Sequence, residues 1–216
     1  MPTQNLNELI EHTLLRADAT LVDIVRLADE AKQHRFHAVV INSHWIADMR
    51  RLLNGSGVKI VTVVGFPLGA MLSKGKAAET KAAVEAGADE IDMVLNIGAA
   101  KEGHWDFIEH EIHEIVSVAQ GRPVKVIIES AGLTPAEIVE ASRRTVAARA
   151  HFVKTSTGYG PGGATVEAVQ LIRETVGCQF GIKASGGIKD RAKAEAMIEA
   201  GATRIGTSVG PMLLVP

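Results

Sequence analysis

The sequence is short of the features that mark secreted, membrane and nucleic-acid-binding chains. Among its 216 residues there is one cysteine, Cys178, so no intrachain disulfide can form and a reducing, cytoplasmic setting is expected. The 23 basic and 25 acidic side chains leave a formal charge of −2. That balance offers no broad basic field for nucleic acid and no polybasic patch for a membrane surface, so neither partner is expected. No uninterrupted apolar run is long enough to span a bilayer, and "MPTQNLNELIEHTLL" lacks the basic-then-apolar order of a secretory signal. No linker or low-complexity stretch breaks the chain, which therefore reads as one domain over 1–216.

What the sequence does contain is alternation. Short apolar runs rich in β-branched residues occur at 12–15, 37–42, 59–66, 90–96, 124–130, 151–156, 179–185 and 204–208. Helix-like segments lie between them. One runs over about 104–119, where Ile108, Ile112, Ile115, Val116 and Ala119 share a face. Thr134-Pro135-Ala136-Glu137 puts a capping residue, a first-turn proline and an acid in helix-starting order. "EAGADEID" (85–92) and "EAGATRIG" (199–206) repeat one pattern of helix end, glycine and strand start. Eight buried strands separated by helices predict parallel pairing and a closed (β/α)8 TIM barrel. Little follows the last strand, so the final helix must be very short or missing. A doubly wound open sheet is the alternative.

Three charged residues inside apolar runs, close to the ends where loops begin, are the candidates for chemistry: Asp92, Lys154 and Lys183. Lys154 and Lys183 stand 29 positions apart and Asp92 and Lys154 stand 62 apart, about one and two repeat units. In a barrel, such positions converge where strands end and loops begin, which is where barrel chemistry sits. Taken singly, each is more simply a snorkelling or ion-paired side chain. Together, two lysines beside one carboxylate repel each other, which lowers the pKa of one towards neutrality. A neutral amine suits attack on a carbonyl to form a Schiff base, with the carboxylate moving protons. The trio points to a Schiff-base lyase or aldolase.

Gly186 and Gly187, after the seventh apolar run, and the "GTS" after the eighth fit a phosphate cradle. Glycines let backbone N–H groups close in on the anion, and helix N-termini favour it. Thr157 and Gly158 of "TSTGYGPGG" are expected to complete the rim, whereas Gly160–Gly163 read as loop-to-helix punctuation.

"EIDMVLNIG", "FVKTSTGYGPGGAT" and "GIKASGGI", in that order and spacing, closely resemble the deoxyribose-phosphate aldolases. "EHTLL", "VVGFPLGA" and "RIGTS" extend the resemblance over essentially the whole chain. The resemblance implies a TIM barrel and reversible cleavage of 2-deoxy-D-ribose 5-phosphate to acetaldehyde and D-glyceraldehyde 3-phosphate, with neither metal nor organic cofactor. By position it makes Lys154 the Schiff-base lysine, Lys183 the neighbouring cation that assists proton transfer, and Asp92 a general acid and base. Phosphate would lie against Gly158, Gly186, Gly187 and Ser208. A homo-oligomer, dimer or tetramer, is the expected assembly.

Four departures stand out. Arg16-Ala17 replaces a common Lys-Pro, "INSHW" (41–45) replaces a more usual Val-Asn-Pro, Val209 replaces a second serine beside the phosphate, and no tyrosine follows Tyr159 to serve as a C-terminal proton carrier. Weaker phosphate binding and slower turnover are therefore expected. Another Schiff-base phosphosugar aldolase, transaldolase-like in its carbon skeleton, and a non-catalytic phosphosugar-binding protein are the competing readings. His110, His113 and their neighbouring glutamates read as a solvated helix face, since catalytic zinc needs three convergent ligands. His12 reads as a hydrogen-bonded structural histidine.

Overall fold

A computed structural model describes residues 5–215. Eight parallel strands close into a barrel in sequence order: β1 (Ile10–Leu14), β2 (Ala38–Ile41), β3 (Lys59–Val64), β4 (Glu90–Val94), β5 (Val124–Ile127), β6 (Phe152–Lys154), β7 (Gly181–Ser185) and β8 (Arg204–Thr207). Each of the eight apolar runs supplies a strand. The first begins at Ile10 rather than His12, which brings Glu11 into the barrel wall. The helices are α1 (Leu21–His34), α2 (Ile46–Leu52), α3 (Ser73–Ala86), α4 (Ile97–Lys101), α5 (Trp105–Val118), α6 (Pro135–Ala147), α7 (Val166–Val176) and α8 (Arg191–Glu199). Among the described residues, a 3-10 segment, Gly210–Leu214, follows β8 in place of the full helix that would complete the last β-plus-α unit.

Local chemistry explains several boundaries. Thr134 caps α6 by accepting from Glu137 N, and the Glu137 side chain accepts in return from Thr134 N, which answers two otherwise orphan donors. The repeated "EAGA" segments end α3 and α8 alike: Gly87 and Gly201 adopt φ of 106° and 114°, and a strand starts three residues later in each case.

Strand alternation sorts the side chains into two layers. Val39, Ile41, Ile60, Ile91, Met93, Val126, Val153, Ile182 and Ile205 are buried against the helices, and they form the main core with residues such as Ile24, Ile108, Ile112 and Ile172. Burying one such aliphatic side chain is worth about 1.5–3 kcal/mol, so this layer carries the barrel's stability. The barrel interior is different. Ala38, Val40, Val61 and Val63 make a small apolar cluster on the β2–β3 side. Most of the large side chains on the other side of the interior are charged.

Candidate active site

Asp92 is fully buried on β4 and three lysines converge on it. Lys154 Nζ (β6) lies 2.8 Å and Lys183 Nζ (β7) 2.6 Å from its Oδ2, while Lys125 Nζ (β5) lies 2.9 Å from its Oδ1. The register makes this possible, because Asp92 pairs with Lys125 across β4–β5 and Lys154 with Lys183 across β6–β7. The predicted trio thus meets, with a third lysine added to it.

Four further ionisable groups complete the cluster. Glu11 on β1 binds Lys183 Nζ through Oε2 and stands 3.4 Å from Lys125 Nζ through Oε1. Glu90 Oε2 lies 2.6 Å from Lys125 Nζ, and Glu90 Oε1 lies 3.3 Å from His37 Nε2. Arg204 Nε is 4.0 Å from Glu11 Oε1. Glu11, His37 and Glu90 have the spacing of a cation site, and the Lys125 ammonium already stands among them. Two glycines make room for these side chains. A Cβ at Gly206 would come 3.1 Å from Lys183 Cε, and one at Gly181 would strike the Phe152 ring, over which Lys125 and Arg204 are stacked.

The cluster sets the charges within it. Burial lowers the Lys154 pKa, Asp92 opposes this and Lys183 adds to it, and the outcome is about 8. The repulsion expected between the two lysines is present, but burial is the larger cause. Burial opposes the charge on Asp92, yet Lys125, Lys154 and Lys183 together hold its carboxyl well below the ordinary range. Burial likewise disfavours charge on Lys125, but Asp92, Glu11 and Glu90 outweigh it and keep the ammonium protonated.

Above the cluster is a cavity of about 420 Å³ lined by Lys154, Thr157, Gly158, Gly186, Gly187 and Ser208, together with Arg16, Tyr159 and Lys189. Every residue expected to hold phosphate lies on this one wall. Lys154 reaches the cavity, whereas Asp92 and Lys183 are fully buried beneath it. Gly158, Gly186 and Gly187 adopt φ of 86°, 89° and 71°, a conformation costly for other residues. Val209 is not in the lining and packs instead against the apolar core.

Two features differ from the sequence-based expectation. The Thr157 hydroxyl donates to the buried Glu129 carboxylate, whose Oε2 also lies 3.3 Å from Thr157 N. Thr157 therefore ties the rim loop to the β5–α6 connection instead of turning its hydroxyl freely to a ligand. Gly163 is more than punctuation: a Cβ there would fall 2.1 Å from Gly186 O, so the loops after β6 and β7 meet at a contact only glycine permits. His12 is hydrogen-bonded, as expected: its Nε2 lies 2.6 Å from Glu30 Oε2, and it is not part of the cavity lining.

The model of the DeoC/LacD family aldolases matches residues 8–212. The chain belongs to this family. As a DeoC/LacD family aldolase it is 55% identical over 207 residues to a deoxyribose-phosphate aldolase from Geobacillus sp. (strain WCH70), covering 95% of this chain and 93% of the relative. It is 50% identical to the deoxyribose-phosphate aldolase of Streptococcus uberis (strain ATCC BAA-854 / 0140J), covering 97% of this chain and 95% of the relative. Among solved structures, the tetrameric deoxyribose phosphate aldolase from Aeropyrum pernix superposes with a TM-score of 0.91 at 32% identity, over 97% of this chain and 89% of that one. Among the described residues of this family member, no helix is long and apolar enough to cross a membrane.

Proposed function

We propose that this chain is a class I aldolase that reversibly cleaves 2-deoxy-D-ribose 5-phosphate to acetaldehyde and D-glyceraldehyde 3-phosphate through a Schiff base on Lys154. One observation carries the reading. Lys154 is the lysine of the cluster that opens into a glycine-walled cavity, and its pKa is drawn down to about 8. The substrate phosphate would sit against Gly158, Gly186, Gly187 and Ser208, whose backbone N–H groups suit an anion. This places the sugar's aldehyde end towards Lys154.

In this reading the Lys154 amine attacks C1 to give a carbinolamine. Lys183, an ammonium bonded to Asp92, gives a proton to the departing hydroxyl, which leaves as water. The iminium draws electrons from the C2–C3 bond, and that bond breaks while the C3 hydroxyl proton returns to the neutral Lys183 amine. Glyceraldehyde 3-phosphate departs. The enamine takes a proton at C2 from Lys183, and water then hydrolyses the iminium to free acetaldehyde and restore both lysines. Asp92 holds the two amines together throughout and favours the return of a proton to Lys183 after each transfer.

No metal or organic cofactor enters this scheme. Residues 1–216 act here as one catalytic domain in the cytoplasm. A homo-oligomer is the proposed assembly, on the strength of the likeness to the tetrameric relative. Borohydride reduction in the presence of acetaldehyde, followed by peptide mapping, tests the function. A two-carbon adduct on Lys154, with Lys154→Ala inactive, is the expected result. Near-normal cleavage by Lys154→Ala would overturn it.

A further inference from the structure

The cluster raises a question that the roles of its members do not answer: why Lys154 and not Lys183 is left as the amine. Both ammonium groups are buried, both bind Asp92 Oδ2, and they pair across adjacent strands. Their other neighbours differ. Lys183 has a second carboxylate, Glu11 Oε2, in direct contact. Lys154 has Asp92 alone, and shares it with Lys125 and Lys183.

Charge counting sharpens the contrast. Three carboxylates face the barrel interior: Glu11 on β1 and Glu90 and Asp92 on β4. Three cations have carboxylate partners that match them: Lys125 with Glu90 and Asp92, Lys183 with Glu11 and Asp92, and Arg204 at the edge of Glu11. With those three charged, the interior is neutral and Lys154 is the fourth, surplus cation. His37, half-buried beside Glu90, is the remaining titratable group of the cluster, and Glu129 is buried in the connection after β5 with the Thr157 hydroxyl as its partner. A surplus charge in a low-dielectric interior is the one most readily given up.

We propose that Glu11 is a positioning residue that divides the labour between the two lysines, holding Lys183 as the ammonium so that Lys154 is the one that attacks. The inference rests on the Schiff-base reading above. Glu11 does not touch the cavity; it acts through its contact with Lys183 and through its negative field, which opposes the fall in the Lys154 pKa. Its geometry depends on Gly206, its register partner on β8, which leaves space for the Lys183 stem between the two strands.

The test is acetaldehyde–borohydride trapping with site mapping on the unaltered protein and on Glu11→Gln and Glu11→Asp, together with the pH profile of kcat/KM. Unaltered protein should carry the adduct on Lys154 alone. Glu11→Gln should divide the adduct between Lys154 and Lys183, lose about 10- to 100-fold in kcat as the proton carrier is compromised, and move the acid limb of kcat/KM to lower pH. Glu11→Asp, which keeps the charge, should return the adduct to Lys154 alone. An adduct confined to Lys154 in Glu11→Gln, with an unmoved acid limb, would overturn the proposal and leave the Schiff-base reading intact. Absence of a Lys154 adduct in unaltered protein would overturn both. If Glu11→Gln does not fold, Glu11→Asp decides through the pH profile: an acid limb close to that of the unaltered protein supports the proposal, and a limb moved as far as loss of the charge would move it refutes it.

Discussion

Gly163→Ala is a small change outside the charged cluster, yet its effect should be read in the phosphate. The new Cβ would lie 2.1 Å from Gly186 O and 2.5 Å from Gly186 C, both backbone atoms with no side-chain rotation to relieve them. Contact distances require the two loops to part by about 1 Å. Ala164 N now lies 3.1 Å from both Ser185 O and Gly186 O, and it would be drawn off at the same time. Gly186 and Gly187 belong to the wall where phosphate is proposed to bind, so their N–H groups would move with the loop. A hydrogen bond to a charged group contributes about 1.5–3 kcal/mol, and loss of one corresponds to about 10- to 150-fold. The expected outcome is a fall of that size in kcat/KM for 2-deoxyribose 5-phosphate, expressed in KM. Self-addition of acetaldehyde, which has no phosphate, should change less than about threefold, because Lys154, Asp92 and Lys183 keep their contacts. Steady-state kinetics with both substrates gives the answer. An equal loss with both would show that the two loops support the amine rather than the anion, and no loss with either would show that the contact is slack.

Two further outcomes follow from the same geometry. With Lys154 at about 8, its amine fraction is about 1% at pH 6, about 9% at pH 7 and half at pH 8, so kcat/KM for acetaldehyde self-addition should rise about 50-fold from pH 6 to pH 8 and flatten by about pH 9; a rise that stays tenfold per unit through pH 9 would mean an ordinary lysine. Stability should run with the carboxylates. Burial opposes the charge on Glu90, but His37 and Lys125 bring its pKa down to about 2, so its contribution is fully present above about pH 4.5 and disappears as pH falls towards about 2. The melting temperature should accordingly drop between those values, and a flat profile would show that the interior ion pairs add no net stability.

Legibility of the site varied residue by residue. Lys154 and Lys183 stand out because a charge inside a β-branched run is conspicuous, and their 29-residue spacing matches the repeat. Lys125 stands the same 29 residues before Lys154, in the run "VKVIIES", and could have been found by extending that spacing one unit. Glu11 was hidden by a strand boundary. Starting the first strand at His12 leaves Glu11 in a loop, whereas the structure begins β1 at Ile10 and turns Glu11 inward and His12 towards the helices. A shift of one residue exchanges the faces of a strand, and a four-residue apolar run does not fix the phase. Glu129 gave no periodic signal, since it lies in a connection with φ of 53°.

The sequence by itself determined the barrel, because eight apolar runs at the spacing of β-plus-α units leave few other ways to bury both faces of each strand. It also determined which residue types converge at the mouth and that glycines line one wall. Only the tertiary structure decided how differently the two lysines are surrounded, with Lys154 opening into the cavity and Lys183 held beneath it by two carboxylates. That is a difference between two nearly equivalent side chains, and it depends on partners contributed by six strands. Spacing places charges on strands. Their protonation depends on burial and on the summed field of the neighbours, which exist only once the barrel has closed.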